Sequence, residues 1–200
     1  MSWHIVEQPL SQFTEHASVP ISFQVISRLD VSAIESGLSG LAMREQIVER
    51  PYIKDYDDDA EEGPEHWCER WDLSKWVILA AFYGEKRVGG AVLAFDTDNL
   101  DMLEGRKDLM VLWDLRVHPE HRRQGVGGRL FRASEDWALA RSCLQIKVET
   151  QNINVAACRF YANQGCVLRA SHRFAYPKFP DEVQLLWYKD LTTTDKGRIR

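Results

Sequence analysis

The segment best equipped for chemistry runs Leu115-Arg-Val-His-Pro-Glu-His-Arg-Arg-Gln-Gly-Val-Gly-Gly-Arg-Leu130. An alternating apolar stretch enters a glycine-rich turn, and an amphipathic helical pattern leaves it. A helix that starts this way presents N–H groups with no carbonyl one turn back and about half a positive charge. It is an anion site. Gly125, Gly127 and Gly128 let the backbone approach an oxygen-rich ligand closely, and Arg122, Arg123 and Arg129 add positive charge. Spacing rejects two common phosphate loops: GxxxxGK[ST] is absent, and GxGxxG needs a glycine where Leu130 stands.

The turn resembles the signature of the GNAT acetyltransferase family, (Arg/Gln)-x-x-Gly-x-(Gly/Ala) after a strand, and Arg122-Arg-Gln-Gly125-Val-Gly127 fits it throughout. Downstream, Glu149-Thr-Gln-Asn-Ile-Asn154-Val-Ala-Ala-Cys-Arg-Phe160-Tyr161-Ala-Asn-Gln-Gly165 is similar to the family's Asn-x-x-(Ala)-x-x-x-(Phe)-Tyr-x-x-x-Gly segment. The resemblance covers roughly residues 75 to 176. It implies an α+β GNAT fold, with a mixed, mostly antiparallel central sheet of about six to seven strands flanked by helices, and acetyl-CoA as co-substrate. It also implies that Arg122, Arg123 and the amides of Gln124, Gly125, Val126, Gly127 and Gly128 hold the pyrophosphate. Leu115, Arg116 and Val117 would pair with the pantetheine arm like an added strand, Asn154 would hydrogen-bond that arm, and Tyr161 would place its hydroxyl near the sulfur.

A narrower resemblance, to streptothricin acetyltransferases, rests on Pro51-Tyr-Ile-Lys-Asp-Tyr56 with the acids after it, on Glu149-Thr-Gln and on Trp187-Tyr188. Those enzymes acetylate the β-lysine amine of a polycationic antibiotic, so it implies a small cationic acceptor and a part in antibiotic resistance. This sequence departs from the pattern at Cys166, where a Phe is usual. Two alternatives stay open: a protein N-terminus or lysine as acceptor, and a non-catalytic acyl-CoA sensor, against which Tyr161 argues.

An amine acceptor must lose a proton, because an ammonium of pKa about 10.4 is short of its reactive form at pH 7 by about 4.6 kcal/mol. Glu149 and Asp114, each on the polar side of an alternating strand pattern, are the candidates to take it, directly or through water. Tyr161 is the candidate acid for the departing thiolate. A backbone N–H near Leu115 to Val117 would stabilise the oxyanion. No covalent enzyme intermediate is expected, so Cys143 and Cys158 read as core thiols.

These residues need elements to hold them. The first twenty residues read as an irregular arm, followed by a strand at Ile21 to Ser27, and Leu41 to Val48 fits helix and strand equally poorly. Residues 55 to 66 form an acidic block that reads as a loop able to bury nothing, and as a candidate wall attracting a cationic acceptor. Trp76 to Tyr83 and Arg87 to Phe95 read as a hairpin around Gly84-Glu85-Lys86. Met110 to Val117 alternates, with Trp113, Leu115 and Val117 opposite Asp114 and Arg116. A helix from Gly125 to about Arg141 carries an apolar stripe of Val126, Leu130, Ala133, Trp137 and Ala140. Leu144 to Thr150 is a strand, Asn152 or Asn154 caps a short helix ended by Gly165, and strands follow at Cys166 to Tyr176 and Val183 to Asp190.

Composition sets the outer bounds. The chain has 200 residues with 44% apolar and 28% charged side chains, suited to a single self-folding domain over 1–200 with its cofactor core at 75–176. Net charge of −5 disfavours nucleic acid. The longest apolar run is too short to span a bilayer, and Met1-Ser2-Trp3-His4-Ile5 lacks an export pattern, so a cytoplasmic protein with no membrane partner is expected. The four cysteines form no CxxC pair and no HExxH is present, which predicts reduced thiols and no metal. A homodimer remains compatible.

Overall fold

The computed structural model describes residues 2–58 and 63–191. Along them come β1 (Trp3–Gln8), α1 (Phe13–Ala17), β2 (Phe23–Ala33), β3 (Leu41–Lys54), α2 (Trp67–Arg70), β4 (Val77–Tyr83) and β5 (Lys86–Phe95). There follow β6 (Leu109–Val117), α3 (Val126–Ala140), β7 (Gln145–Gln151), α4 (Val155–Asn163), β8 (Val167–His172) and β9 (Gln184–Asp190). Seven strands form one mixed sheet in the order β1-β4-β5-β6-β7-β9-β8, and β2 pairs with β3 in a separate ribbon. The β6–β7 ladder is parallel, and the β4–β5 and β5–β6 ladders are antiparallel. This is the α+β class expected.

Two expectations fail near the N-terminus. The supposed arm contains β1, which pairs with β4 from Trp3↔Tyr83 to Gln8↔Ile78. An edge strand needs only one apolar side, so its period was too short to show. The strand expected at Ile21 to Ser27 begins at Phe23 and runs on to Ala33, where Gly37 and Gly40, both at positive φ, turn it into β3. The acidic block is also more than a solvated loop: Gly63 and Pro64 are buried and lead into α2, whose Trp67 is core. Residues 59–62 of that block lie outside the described residues.

Contacts gather the chain into two compact units, one of Met1–Ile21, Tyr56–Val148 and Lys189–Arg200, the other of Ser22–Asp55 and Glu149–Tyr188. The first unit is built on a cluster of Trp67, Leu73, Trp76, Ile78, Val92 and Val111, with Trp71 and Trp113 packed against it. The α3 helix lies on β4, β5 and β6. It buries Phe131, Ser134 and Ala138 beside Val126, Leu130 and Trp137, so its stripe is turned from the one expected; Ala140 is exposed. In the second unit the Asn154 side chain accepts the Ala157 N–H at 3.1 Å and caps α4, which Gly165 at φ 86° closes. Asn152 instead accepts from Val183 N and donates to Leu29 O.

Two adjacent glycines in β5 set how closely the first unit packs. A Cβ at Gly89 would stand 2.7 Å from the Arg116 carbonyl oxygen, and one at Gly90 would stand 2.6 Å from His16 Nδ1. Both neighbours are immobile, one as strand backbone and the other as a fully buried ring. Gly90→Ala is therefore expected to destabilise the protein by about 1–3 kcal/mol through overpacking. A urea melt checks this, and an unchanged midpoint would show that His16 can move.

Candidate active site

The turn after β6 is held open by its own side chains. Arg122 Nε donates to Val117 O at 2.9 Å, and its Nη2 donates to Pro20 O at 3.2 Å, so this arginine braces the turn as well as bringing charge. Burial lowers its pKa. Gln124 Nε2 reaches back to Glu120 O at 2.7 Å. Arg123 and Gly125 both take left-handed φ, 60° and 84°, and the chain then enters α3. The first bond of that helix runs from Arg129 N to Gly125 O at 3.1 Å. The amides of Val126, Gly127 and Gly128 precede it, with no helical carbonyl to meet. No side chain caps Gly125.

The strand before the turn offers a second feature. Its ladder to β5 runs as far as Gly89↔Val117, whereas the parallel ladder to β7 stops at Leu112↔Val148. Residues 113–117, which include Leu115, Arg116 and Val117, therefore have one backbone edge with no strand on it among the described residues. A bulge opposite Val92 and Leu93 leaves Trp113 as the extra residue where the edge becomes open. Bulges of this kind re-aim side chains and end pairing beside active sites.

Alternation in β6 is as expected, but the polar side is the buried one. Arg116 is 2% and Asp114 9% exposed, while Trp113, Leu115 and Val117 are half-buried. Arg116 Nε donates to both Asp114 oxygens at 3.0 and 2.9 Å, and its two terminal nitrogens bind the Asp57 oxygens at 2.7 and 2.8 Å. His16 Nε2 lies 3.1 Å from Asp114 Oδ1. Burial works to raise the Asp114 pKa, but His16 and then Arg116 outweigh it and hold the carboxyl at about 2. An ionised carboxylate only accepts, so His16 Nε2 is the donor of this bond. Asp114 is thus locked rather than poised to take a proton, and Asp57 is neutralised by Arg116 rather than left to attract a cation.

Glu149, Asn154 and Tyr161 belong to the second unit. Glu149 is half-buried on β7; it accepts from the Tyr176 hydroxyl at Oε1 and from Gln184 Nε2 at Oε2, the latter at 2.7 Å. Tyr176 and Gln184 were not singled out from sequence; the one available signal was a tyrosine directly before the turn proline Pro177. Tyr161 is 7% exposed on α4, its ring edge-on to Phe160. Cys158 and Cys143 are buried, and burial first of all pushes both thiols up to about 11, as core thiols require. Among the described residues no group of side chains is arranged to hold a metal, and no helix is long and apolar enough to cross a membrane.

A ligand with a diphosphate and peptide-like amides along its arm fits both features of the first unit, the amides at the mouth of α3 and the vacant edge of β6. Coenzyme A has that make-up, and the fold with this turn defines an acetyl-CoA-dependent N-acetyltransferase. The chain belongs to the GNAT acetyltransferase family, whose model matches residues 41–166. It is 27% identical over 172 residues to streptothricin acetyltransferase A of Bacillus subtilis (strain 168), covering 83% of this chain and 87% of that protein. It is 31% identical over 143 residues to an Escherichia coli streptothricin acetyltransferase, covering 69% and 70%. Among solved structures, a Bacillus anthracis str. Ames protein assigned as a streptothricin acetyltransferase, in complex with acetyl coenzyme A, superimposes with a TM-score of 0.74 at 26% identity, over 94% of this chain and 99% of that one. A nourseothricin acetyltransferase at 19% identity shares the fold with the same TM-score.

Asp114→Asn removes one charge from a buried cluster and is expected to cost about 3–5 kcal/mol. The carboxyl is more acidic folded than unfolded, so its stabilisation is full above about pH 4 and drains as the pH falls towards 2. Acid denaturation curves of the two proteins should therefore converge at low pH. Parallel curves would mean that Asp114 is not held ionised.

Proposed function

We propose that the chain transfers the acetyl group of acetyl-CoA to a primary amine on a small cationic molecule of the streptothricin type, and so inactivates such an antibiotic. The observation that carries the reading is the β6 edge left open at residues 113–117 and running into the amide-lined start of α3. The choice of acceptor is supported by the curated relatives, which are streptothricin acetyltransferases by name. The reading places the protein in the cytoplasm with neither nucleic acid nor membrane as partner, and it admits a homodimer.

In this reading Gln124 to Gly128 hold the pyrophosphate, with Arg122 and Arg123 as its cationic flank, and Leu115 to Val117 offer their backbone to the pantetheine arm. The bound cofactor supplies an activated thioester carbonyl. Asn154, whose Oδ1 caps its own helix, is the side chain that meets the arm. Glu149 is the base, supported by its half-buried place and its two oriented donors, whereas Asp114 is set aside by the acidity its partners impose. Tyr161 protonates the departing thiolate; a positioned acid of this kind is worth about 100-fold or more in rate.

Free-thiol release from acetyl-CoA, measured across streptothricin, aminoglycosides, polyamines and N-terminal peptides, should be fastest with streptothricin. A peptide ahead of every small amine would favour a protein acceptor, and silence across the panel would favour a sensor. Tyr161→Phe should lower kcat about 100-fold with acetyl-CoA affinity unchanged; an indifferent kcat removes Tyr161 from the chemistry. Gly125→Ala forces a side chain into left-handed φ at the phosphate turn, so it should weaken acetyl-CoA binding at least tenfold in calorimetry and cost about 1 kcal/mol of stability. Unaltered affinity would place the diphosphate elsewhere.

A further inference from the structure

The second unit holds a cleft whose lining includes none of the residues assigned to acetyl transfer. It has a volume of about 360 Å³, with β2 as one wall and the connection from β8 to β9 as the other, and every residue lining it belongs to that unit. Small-molecule sites start at about 300 Å³. One buried residue braces both walls. Asn152, 3% exposed, accepts from Leu29 N at its main-chain oxygen at 2.9 Å and donates from Nδ2 to Leu29 O at 3.0 Å. Its main-chain N donates to Val183 O at 2.9 Å, and its Oδ1 accepts from Val183 N at 2.8 Å. The walls are thus spaced by bonds to main-chain groups, and the charged side chains above them have no part in holding the cleft together.

Those side chains carry both signs. Arg28 and Asp30 lie two positions apart on β2, on one side of the strand, and approach through Arg28 Nε at 3.3 Å with about half of each side chain exposed. A pair this open to water contributes little, and among the described residues the forked end of Arg28 makes no hydrogen bond. The other wall supplies Arg173 and Asp181, both exposed. Among the described residues neither side chain has a hydrogen-bond or ion-pair partner; the Arg173 guanidinium stands 5.9 Å from the centre of the Phe174 ring. Glu182, next in sequence to Asp181, is by contrast buried and taken by Lys54 at 2.7 Å. The Tyr52 phenol, pushed up first by burial and then by Glu182, is drawn down by Arg28 and pushed up by Asp181, so both charges act on one point from opposite walls. Unlike charges that share a cleft without closing on each other leave a gap suited to a molecule bearing both signs.

We infer that this cleft binds a small zwitterion, an amino acid or short peptide in chemical class, with its carboxylate on the forked end of Arg28 and its ammonium on Asp181. A guanidinium presents paired N–H groups that match the two oxygens of a carboxylate. Asp30, beside Nε, orients that guanidinium, and Arg173 adds positive charge on the facing wall. The site is one of binding only. It is independent of the acetyl-transfer reading and stands or falls without it.

The test is calorimetry on the full chain at low ionic strength without acetyl-CoA. The probes are L-lysine, cadaverine, which is the same molecule without its carboxylate, and acetate. L-lysine should saturate one site, with cadaverine and acetate at least tenfold weaker. Arg28→Gln and Asp181→Asn should each weaken L-lysine at least tenfold while leaving the melting temperature and acetyl-CoA affinity unchanged, since both side chains lie at the surface. No saturable binding of L-lysine would overturn the inference. So would cadaverine binding as tightly as L-lysine, which would show a site that reads cations alone, and so would L-lysine binding indifferent to both substitutions, which would place it elsewhere. Thiol release is not measured, so failure of the acceptor panel above leaves this outcome untouched.

Discussion

The buried guanidinium of Arg116 is the interaction on which the first unit turns. It lies between two carboxylates, Asp114 beside it on β6 and Asp57 from the acidic segment, and Asp114 is engaged further by His16 of α1. Two stretches far from it in sequence, α1 and the acidic segment, are held to one strand by this cluster, in which Asp57 alone keeps appreciable exposure. Such a cluster is expensive to assemble and more expensive to break, because removal of any member leaves its partner uncompensated. The glycines of β5 make it possible, since the His16 ring and the Arg116 carbonyl occupy the space that side chains at Gly90 and Gly89 would need. Among the described residues, the opposite edge of the same strand is left without a strand neighbour from Trp113 onward. One side of β6 is thus fixed while the other stays available.

That availability connects fold to reaction. An unpaired strand edge is ordinarily a hazard, open to pairing with any extended chain. Here it runs into a turn whose conformation is set by Arg122 and Gln124 bonding to backbone carbonyls and whose left-handed residues aim successive amides at the helix start. A carrier with amides in its arm and a diphosphate behind them has the make-up to fit both, which is the placement proposed above. In the second unit the carboxylate of Glu149 is held by Tyr176 and Gln184, and this is the group proposed above to take a proton from the amine.

Local chemistry was legible in the sequence, and long-range pairing was not. The strand–turn–helix of residues 115–130 could be read because its glycines, its preceding strand and its helix are contiguous. The stop at Gly165 could be read for the same reason, and the cap was narrowed to Asn152 or Asn154, of which the structure uses Asn154. Alternation in β6 told which residues share a face but not which face is covered, because the partner of Arg116 is Asp57, 59 positions away, and nothing local marks the pair. Asp57 consequently looked like part of a solvated acidic wall. Tyr176 escaped notice because its partner Glu149 is 27 positions distant. Gly89-Gly90 inside an apolar run was a usable sign of close approach, since glycine in a strand interior commonly marks one.

The indoles of the first unit have an optical consequence. Trp113 lies 5.1 Å from Trp71 and 5.3 Å from Trp76 between ring centres, and Trp67 lies 6.1 Å from both Trp76 and Trp113. Chromophores this close share their excited states. Their fixed tilts make the shared transitions chiral, so the near-ultraviolet circular dichroism of the protein is dominated by this group. Because Trp113 is the bulged residue of β6, the same signal carries the geometry of that strand at the point where its open edge begins.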